Sequence, residues 1–412
     1  MSGCDCDAVK QPGSDLMPVE EALQRLLAAT SVTTEVETVA LDQALGRVLA
    51  EAPLAAVDVP PADNSSMDGY AVCRADLSAT EESCLPISQR IPAGQAPLPL
   101  KPGTAARIFT GAEVPEGADA VVMQEQARQE GDQVWLPAGV KDQQNIRPQG
   151  QDLEQGKPVL PCGTRLQPAD LGVLASVGLA EIPVFKRLKV ALLCTGDELV
   201  EPGQPLAAGQ IYNSNRPLLQ GLLQGLGMEL VDLGRVEDTA EATEAALQRA
   251  SEQADLIIST GGVSVGEEDY IKGCVEKLGE LSLWRIRLKP GKPLAYGHVN
   301  QVPFFGLPGN PASALITFCL FARPCLLKQQ GAEVQPPMLL QVPAGFTRTR
   351  EIGRQEYLRA RFENGQLLPF SNQSSGMLSS ASWSNGLAVI PPQTRVEEGD
   401  LVGFIPFSEL LG

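Results

Sequence analysis

Three short stretches carry residue types and spacings that could do phosphate chemistry. The first, STGGVSVGEEDY (259–270), follows the apolar run ADLII (254–258) and joins closely spaced glycines to Glu267, Glu268 and Asp269. The second, TGDELVEPG, follows the apolar VALLC (190–194), and the third, LPGNPASA, follows VPFFG (302–306). Glycines after a buried strand let backbone N–H groups approach an anion, and a helix N-terminus adds favourable partial charge. Gly261, Gly262 and Ser264 offer that floor in one loop, and Pro308, Gly309, Asn310 and Pro311 shape the other. Each loop alone reads equally well as a turn into a solvated helix start. Asp197, Glu198 and Asp269 directly follow the glycine turns and are the candidate Mg²⁺ carboxylates, since carboxylates beside bound phosphate are commonly reconciled by that ion. Glu267 and Glu268 read as helix-start acids.

Cations are concentrated in RIRLKPGKP (285–293). If LWRIRLK is one strand, Arg285, Arg287 and Lys289 share a face opposite Trp284, Ile286 and Leu288. The PGKP turn would then aim Lys292. A solvated charged face is the alternative. The sequence contains no GxGxxG after a strand and no GxxxxGK[ST], which argues against dinucleotide and P-loop sites.

The totals narrow the chemistry. There is one histidine, His298, so a serine-type triad or a histidine-rich zinc site is nearly excluded, and a structural role for it is expected. A net charge of −18 opposes nucleic-acid binding, so an anionic substrate needs a local cluster of cations. Nine cysteines without a Cys-x-x-Cys pair read as reduced thiols. No run approaches the roughly 20 apolar residues of a membrane span, and the N-terminus lacks an apolar signal core, so no membrane partner and a cytoplasmic location are expected.

At 412 residues the chain should form several domains. Helices are expected over 18–29, 41–50 and 166–177, with a strand over 180–186. Short strands between Gly/Pro turns over 70–150 imply a small β unit. From Lys189 strands and helices alternate, which predicts a mostly parallel, helix-covered sheet with the three loops on its carboxyl edge. β texture resumes after 335–337.

DNSSMDGYAV (63–72), TGDELVEPGQPLAAGQIYNSN (195–215), STGGVSVGEEDY, KPGKPLAYG (289–297) and GLPGNPASAL (306–315) together resemble the MoeA family of molybdopterin molybdenumtransferases, to which the gephyrin E domain is similar. The resemblance spans nearly the whole chain in the same order. It implies a multidomain α/β plus β fold. An elongated split domain would cover 1–60 and 151–187, and an inserted β-rich domain 61–150. The α/β molybdopterin-binding domain would cover 188–335 and a C-terminal β barrel 336–412. It further implies a homodimer whose active sites lie between subunits, leaving room for contacts with other cofactor-biosynthesis proteins. The implied reaction takes adenylylated molybdopterin and molybdate, inserts molybdenum, and releases AMP with the help of Mg²⁺.

Residue by residue, the resemblance puts Asp68 and Thr110 at a cleft and matches Asp152 to a family acid. Glu198, Asp238 and Asp269 match functional acids, with Glu198 and Asp269 as metal holders. Lys289 and Lys292 match substrate-anchoring lysines, and Arg285 stands where a lysine is common. Arg359 and Ser375 are looser matches in the C-terminal domain. Asp68 and Asp152 read alternatively as turn-capping residues. Two other functions stay open: adenylylation of molybdopterin, the preceding step, and a gephyrin-like scaffold.

Overall fold

The computed structural model describes residues 16–32, 35–261 and 270–411. A six-stranded sheet forms its centre, in the spatial order Glu229–Val236, Lys189–Thr195, Leu256–Thr260, Val302–Leu307, Pro293–Val299, Gly279–Arg285. The first four strands are parallel, and the last two add antiparallel to one edge. Every residue of Leu256–Thr260 is buried, as expected for a parallel strand covered on both faces. Helices Ala240–Gln253 and Tyr270–Leu278 pack on one face around Leu247, Ile257 and Phe304. The other face packs against Asn215–Gly225, the N-terminal helix Val19–Ala29 and the long apolar segment Pro311–Gln329.

That last segment corrects the expectation that no apolar run is long enough to span a membrane. Its 19 residues are long and apolar enough by composition, but 83 % of the window is buried in the protein. It is a core helix, wound as α, then π over Phe318–Ala322, then α again through Gln329.

Around this centre lie three β units. Val36–Ala40 pairs antiparallel with Glu181–Phe185, and Leu49, Leu166, Leu174 and Val184 share a core, so two distant segments pack together. Between them in sequence runs a second six-stranded sheet containing Gly69–Val72, Ser83–Ile91, Ala105–Ile108, Ala120–Met123 and Gln133–Leu136. The C-terminal sheet runs Gln355–Glu363, Gly386–Ile390, Leu401–Pro406, Leu340–Pro343, while Gln366–Pro369 pairs with the first strand. A bridge between Ala344 and Leu367 brings its two ends together, curling it into a barrel around Leu358, Ala388 and Phe404.

Two expected elements differ. Residues 41–50 form only a short 3₁₀ turn, Leu41–Gln43, because Gly46 takes φ +72° and Val48 and Leu49 bridge to Arg165 and Val184. Nor is LWRIRLK one strand. The edge strand ends at Arg285, Ile286 bridges to Met17, and Leu288–Lys289 pairs with Gln355–Glu356 of the barrel. The burial alternation holds, with Ile286 and Leu288 fully buried, but the charged side chains no longer share one sheet face.

Lys289 Nζ donates to Glu356 Oε1 at 2.8 Å, and Arg348 pairs with the other carboxylate oxygen. Glu356 is only 1 % exposed, so its removal leaves two cations facing each other at the junction. Glu356→Ala should lower stability by about 3 kcal/mol in urea titrations, with Glu356→Gln in between. A loss below about 1 kcal/mol would mean the junction does not depend on this acid.

Candidate functional site

The carboxyl edge of the central sheet and the barrel enclose a cavity of about 810 Å³. The three glycine-containing loops do meet there: Thr195 and Glu198, Thr260 and Gly261, and Pro308 through Pro311 all border it. Asn215 knits them, its Nδ2 donating to Thr260 Oγ1 at 2.8 Å and to the Gly309 carbonyl at 2.7 Å. Thr260 Oγ1 in turn donates to the Pro308 carbonyl at 3.3 Å. Gly261 is required by geometry, with φ +88° and a Cβ position only 2.7 Å from the Thr195 carbonyl oxygen. From the barrel side, the Ser375 carbonyl accepts from Ala312 N at 2.9 Å, at the start of helix Pro311–Thr317, and Gln373–Ser375 complete the wall.

Glu198 lies back over its own turn, with Oε2 2.6 Å from where a Cβ at Gly196 would stand. Among the described residues it forms no ion pair, and no group of three or more His, Cys, Asp or Glu side chains could cage a metal.

Among the described residues, three cations border the cavity: Lys289, Lys292 and Arg354. Lys289 is already paired with Glu356, whereas Lys292 has no ion pair among the described residues. The Lys292 carbonyl accepts from Ile286 N at 2.8 Å, which closes the PGKP turn. Arg354, whose Nη1 donates to the Leu288 carbonyl at 3.5 Å, was not singled out by sequence reasoning. It lies 62 residues beyond Lys292, and only the pairing of Leu288–Lys289 with Gln355–Glu356 reveals its position.

Other candidates lie elsewhere. Arg285 does not border the cavity: its strand ends there, its carbonyl takes Met17 N at 2.9 Å, and its side chain is exposed. Arg359 is fully buried, donating from Nε to Ser380 Oγ and from Nη2 to the Ser374 carbonyl, both at 2.9 Å. Burial pushes its guanidinium down to about 10. It braces the loop that presents Ser375 and does not itself border the cavity. Asp197 is exposed and off the wall, and Asp238, half-buried beyond strand Glu229–Val236, also does not border the cavity. Gly262, Ser264, Glu267, Glu268 and Asp269 fall outside the described residues.

Asp68, Thr110 and Asp152 lie outside this cavity, and only the first two touch each other. Asp68 Oδ1 accepts from Thr110 N at 2.7 Å and from Thr110 Oγ1 at 2.8 Å, which ties it to a residue 42 positions on rather than to its own turn. These bonds, the backbone one first, hold its carboxyl below the ordinary 3.8, with a smaller contribution from Arg107. Asp152 is exposed and holds its place through backbone bonding to the Val59 carbonyl. His298 sits in strand Pro293–Val299, 3.0 Å from Glu280 Oε1 and away from the cavity, as a structural residue would.

A parallel sheet with glycine loops, an acid and cations converging on its carboxyl edge, roofed by a barrel, defines an α/β enzyme-type site for an anionic ligand. Residues 17–178 match the MoeA N-terminal region (domain I and II), 191–328 a probable molybdopterin binding domain, and 341–407 the MoeA C-terminal region (domain IV). The molybdopterin molybdenumtransferase of Haemophilus influenzae is 40 % identical over 409 residues, covering 96 % of this chain and all of that protein. That of Bacillus subtilis is 34 % identical over 400 residues, 92 % of this chain and 91 % of the relative. The crystal structure of the molybdopterin biosynthesis moeA protein from Pyrococcus horikoshii superposes with a TM-score of 0.82 at 31 % identity, covering 95 % of this chain and all of that one. The chain belongs to the MoeA family.

The Asp68 carboxyl should titrate below 3.8 in the folded protein, measured by NMR. The stabilisation from its bonds is present above the ordinary value and lost as pH falls through the depressed one. Thr110→Val removes the hydroxyl bond but keeps the backbone bond, so it should relieve the depression only in part. An unchanged titration would assign the depression to the backbone N–H and Arg107 alone.

Proposed function

We propose that this chain is a molybdopterin molybdenumtransferase, inserting molybdenum from molybdate into adenylylated molybdopterin and releasing AMP. The observation that carries the reading is the cavity where Glu198, Lys292 and Arg354 meet the Gly261 and Gly309 loops, in a chain of the MoeA family. Cleaving a phosphoanhydride calls for charge neutralisation and positioning more than for a histidine. Lys292 and Arg354 neutralise the anionic part of the ligand, while Lys289, held by Glu356, fixes the turn that presents Lys292. Backbone amides of the glycine loops orient the phosphate oxygens.

Mg²⁺ suits this site, because it is commonly held by one or two carboxylates plus substrate phosphates, and Glu198 is an acid on the wall without an ion-pair partner among the described residues. When bound it supplies further charge neutralisation at the anhydride, with Asp269 as the second expected holder. Molybdate is a substrate, taken by the same cations.

The reading includes a cytoplasmic homodimer and four domains with the boundaries expected from the sequence. Asp68, Thr110 and Asp152 would then act across the subunit boundary. The barrel-side wall, which a lone molybdopterin-binding domain would lack, favours the insertase over the adenylylating step.

The test is AMP release from adenylylated molybdopterin on addition of molybdate, together with rescue of nitrate reductase in an insertase-deficient strain. Lys292→Ala and Glu198→Gln should each lower turnover about a hundredfold, the typical effect of removing one electrostatic contact to the reacting charge. ATP-dependent adenylylation of molybdopterin without molybdate would instead identify the enzyme of the preceding step. Full rescue by both variants would remove the roles given to these side chains.

A further inference from the structure

Asp68 is held at its carboxylate, at its own carbonyl and at the next one, and a single guanidinium serves the last two. Arg107 lies opposite Tyr70 on the neighbouring strand, its guanidinium carbon 5.0 Å from the Tyr70 ring centre and 4.8 Å from that of Phe109. The Tyr70 hydroxyl donates to Gln129 Oε1 at 2.7 Å, which anchors the ring at its far end. From its place on these rings, Arg107 Nη1 donates to the Gly69 carbonyl at 3.2 Å, and Nη2 donates to Gln124 Oε1. Gln124 N in turn donates to the Asp68 carbonyl at 2.9 Å. The strand that carries Arg107 runs on to Thr110, whose N–H and hydroxyl hold the Asp68 carboxylate.

A stacked arginine on a sheet can be plain surface packing, and Arg128 has that form. It lies 4.7 Å from the Trp135 ring centre and pairs with Glu82 and Glu130. Arg107 differs, because among the described residues it forms no ion pair. Opposite it on the next strand stands Arg90, a like charge 4.5 Å from the same Phe109 ring centre. Like charges facing each other across strands destabilise a sheet, so packing alone does not call for an arginine here. The position uses a planar fork that lies on aromatic rings while donating at two points, which a lysine does not supply.

We propose that Arg107 is a positioning residue: by fixing Gly69 and Gln124 on either side of Asp68, it sets the direction in which the Asp68 carboxylate is presented. The proposal rests on the functional reading above, in which Asp68 acts across the subunit boundary, and adds the group that aims it. Arg107 forms no ion pair with Asp68, so it acts through the backbone that carries the acid.

Arg107→Lys keeps the charge but not the fork, and is compared with the wild type in AMP release from adenylylated molybdopterin and in amide hydrogen exchange. Its kcat should fall about tenfold with KM unchanged, as expected for a displaced group rather than a missing one. The Thr110 N–H, which donates to Asp68, should exchange about tenfold faster, while the amides of strand Gln133–Leu136 in the same sheet keep their wild-type exchange. That contrast separates a loosened contact from an unfolding domain. Arg90→Lys, on the same ring but outside the chain of bonds, should match the wild type in both measurements. Gln124→Leu removes the Nη2 acceptor and keeps the backbone N–H. It covers the case in which the lysine variant does not fold, and should give smaller changes in the same directions. Wild-type exchange at Thr110 in both Arg107→Lys and Gln124→Leu overturns the proposal. So does an unchanged kcat in a variant whose Thr110 exchange is faster, or an equal loss of turnover in Arg90→Lys. A wild type that releases no AMP would instead count against the functional reading, while Thr110 exchange would still decide whether Arg107 holds Asp68.

Discussion

The site depends on a strand that changes sheets. After Arg285 the chain leaves the central sheet, and Leu288–Lys289 pairs in parallel with Gln355–Glu356 of the barrel. The Lys289–Glu356–Arg348 cluster locks this junction in a buried setting. Once both ends are fixed, residues 290–292 have little freedom. Ile286 N reaches the Lys292 carbonyl, and Gly291, at φ +102°, leaves no room for a Cβ, which would stand 2.6 Å from Thr317 Oγ1. The same pairing brings Arg354 and the 373–375 loop over the carboxyl edge. One junction therefore supplies the cations, the turn that aims one of them, and the second wall.

An acidic chain can still hold an anion, because the relevant field is local. At a net charge of −18 the surface as a whole repels phosphate. Exposed charges beyond about 8 Å are largely screened at physiological ionic strength. Within the cavity, Lys292 and Arg354 lie beside backbone amides with Glu198 as the nearby acid. Arg216, also close to this edge, is committed to Glu201 and Asp232, so it supports the TGDELVEPG loop and the following helix rather than the cavity.

Legibility followed how local each cause was. Continuous apolar runs such as DLIIS could be read as buried strands because such a run states its own environment. The meeting of the three loops followed from parallel topology, and Pro168 at the start of its helix was set by its own ring. Residues 41–50 misled because apolar spacing that suits a helix also suits side chains that bridge irregularly to Arg165 and Val184. Arg354 was invisible because its place depends on a strand pairing between residues 67 positions apart in sequence. Arg359 was expected at the site only through the family resemblance, and the barrel interior uses it to hold the Ser374 carbonyl.

The split of the acids is itself informative. Glu198 lies on the cavity wall, whereas Asp68 and Asp152 belong to the region of the second sheet and the segment leaving it. Asp68 is engaged in holding Thr110, which makes that turn rigid and its carboxyl reliably ionised. A rigid, ionised acid on a surface turn costs little to maintain when solvated, and it is preorganised for a partner brought to it. The proposed homodimer would use that turn without having to rearrange it.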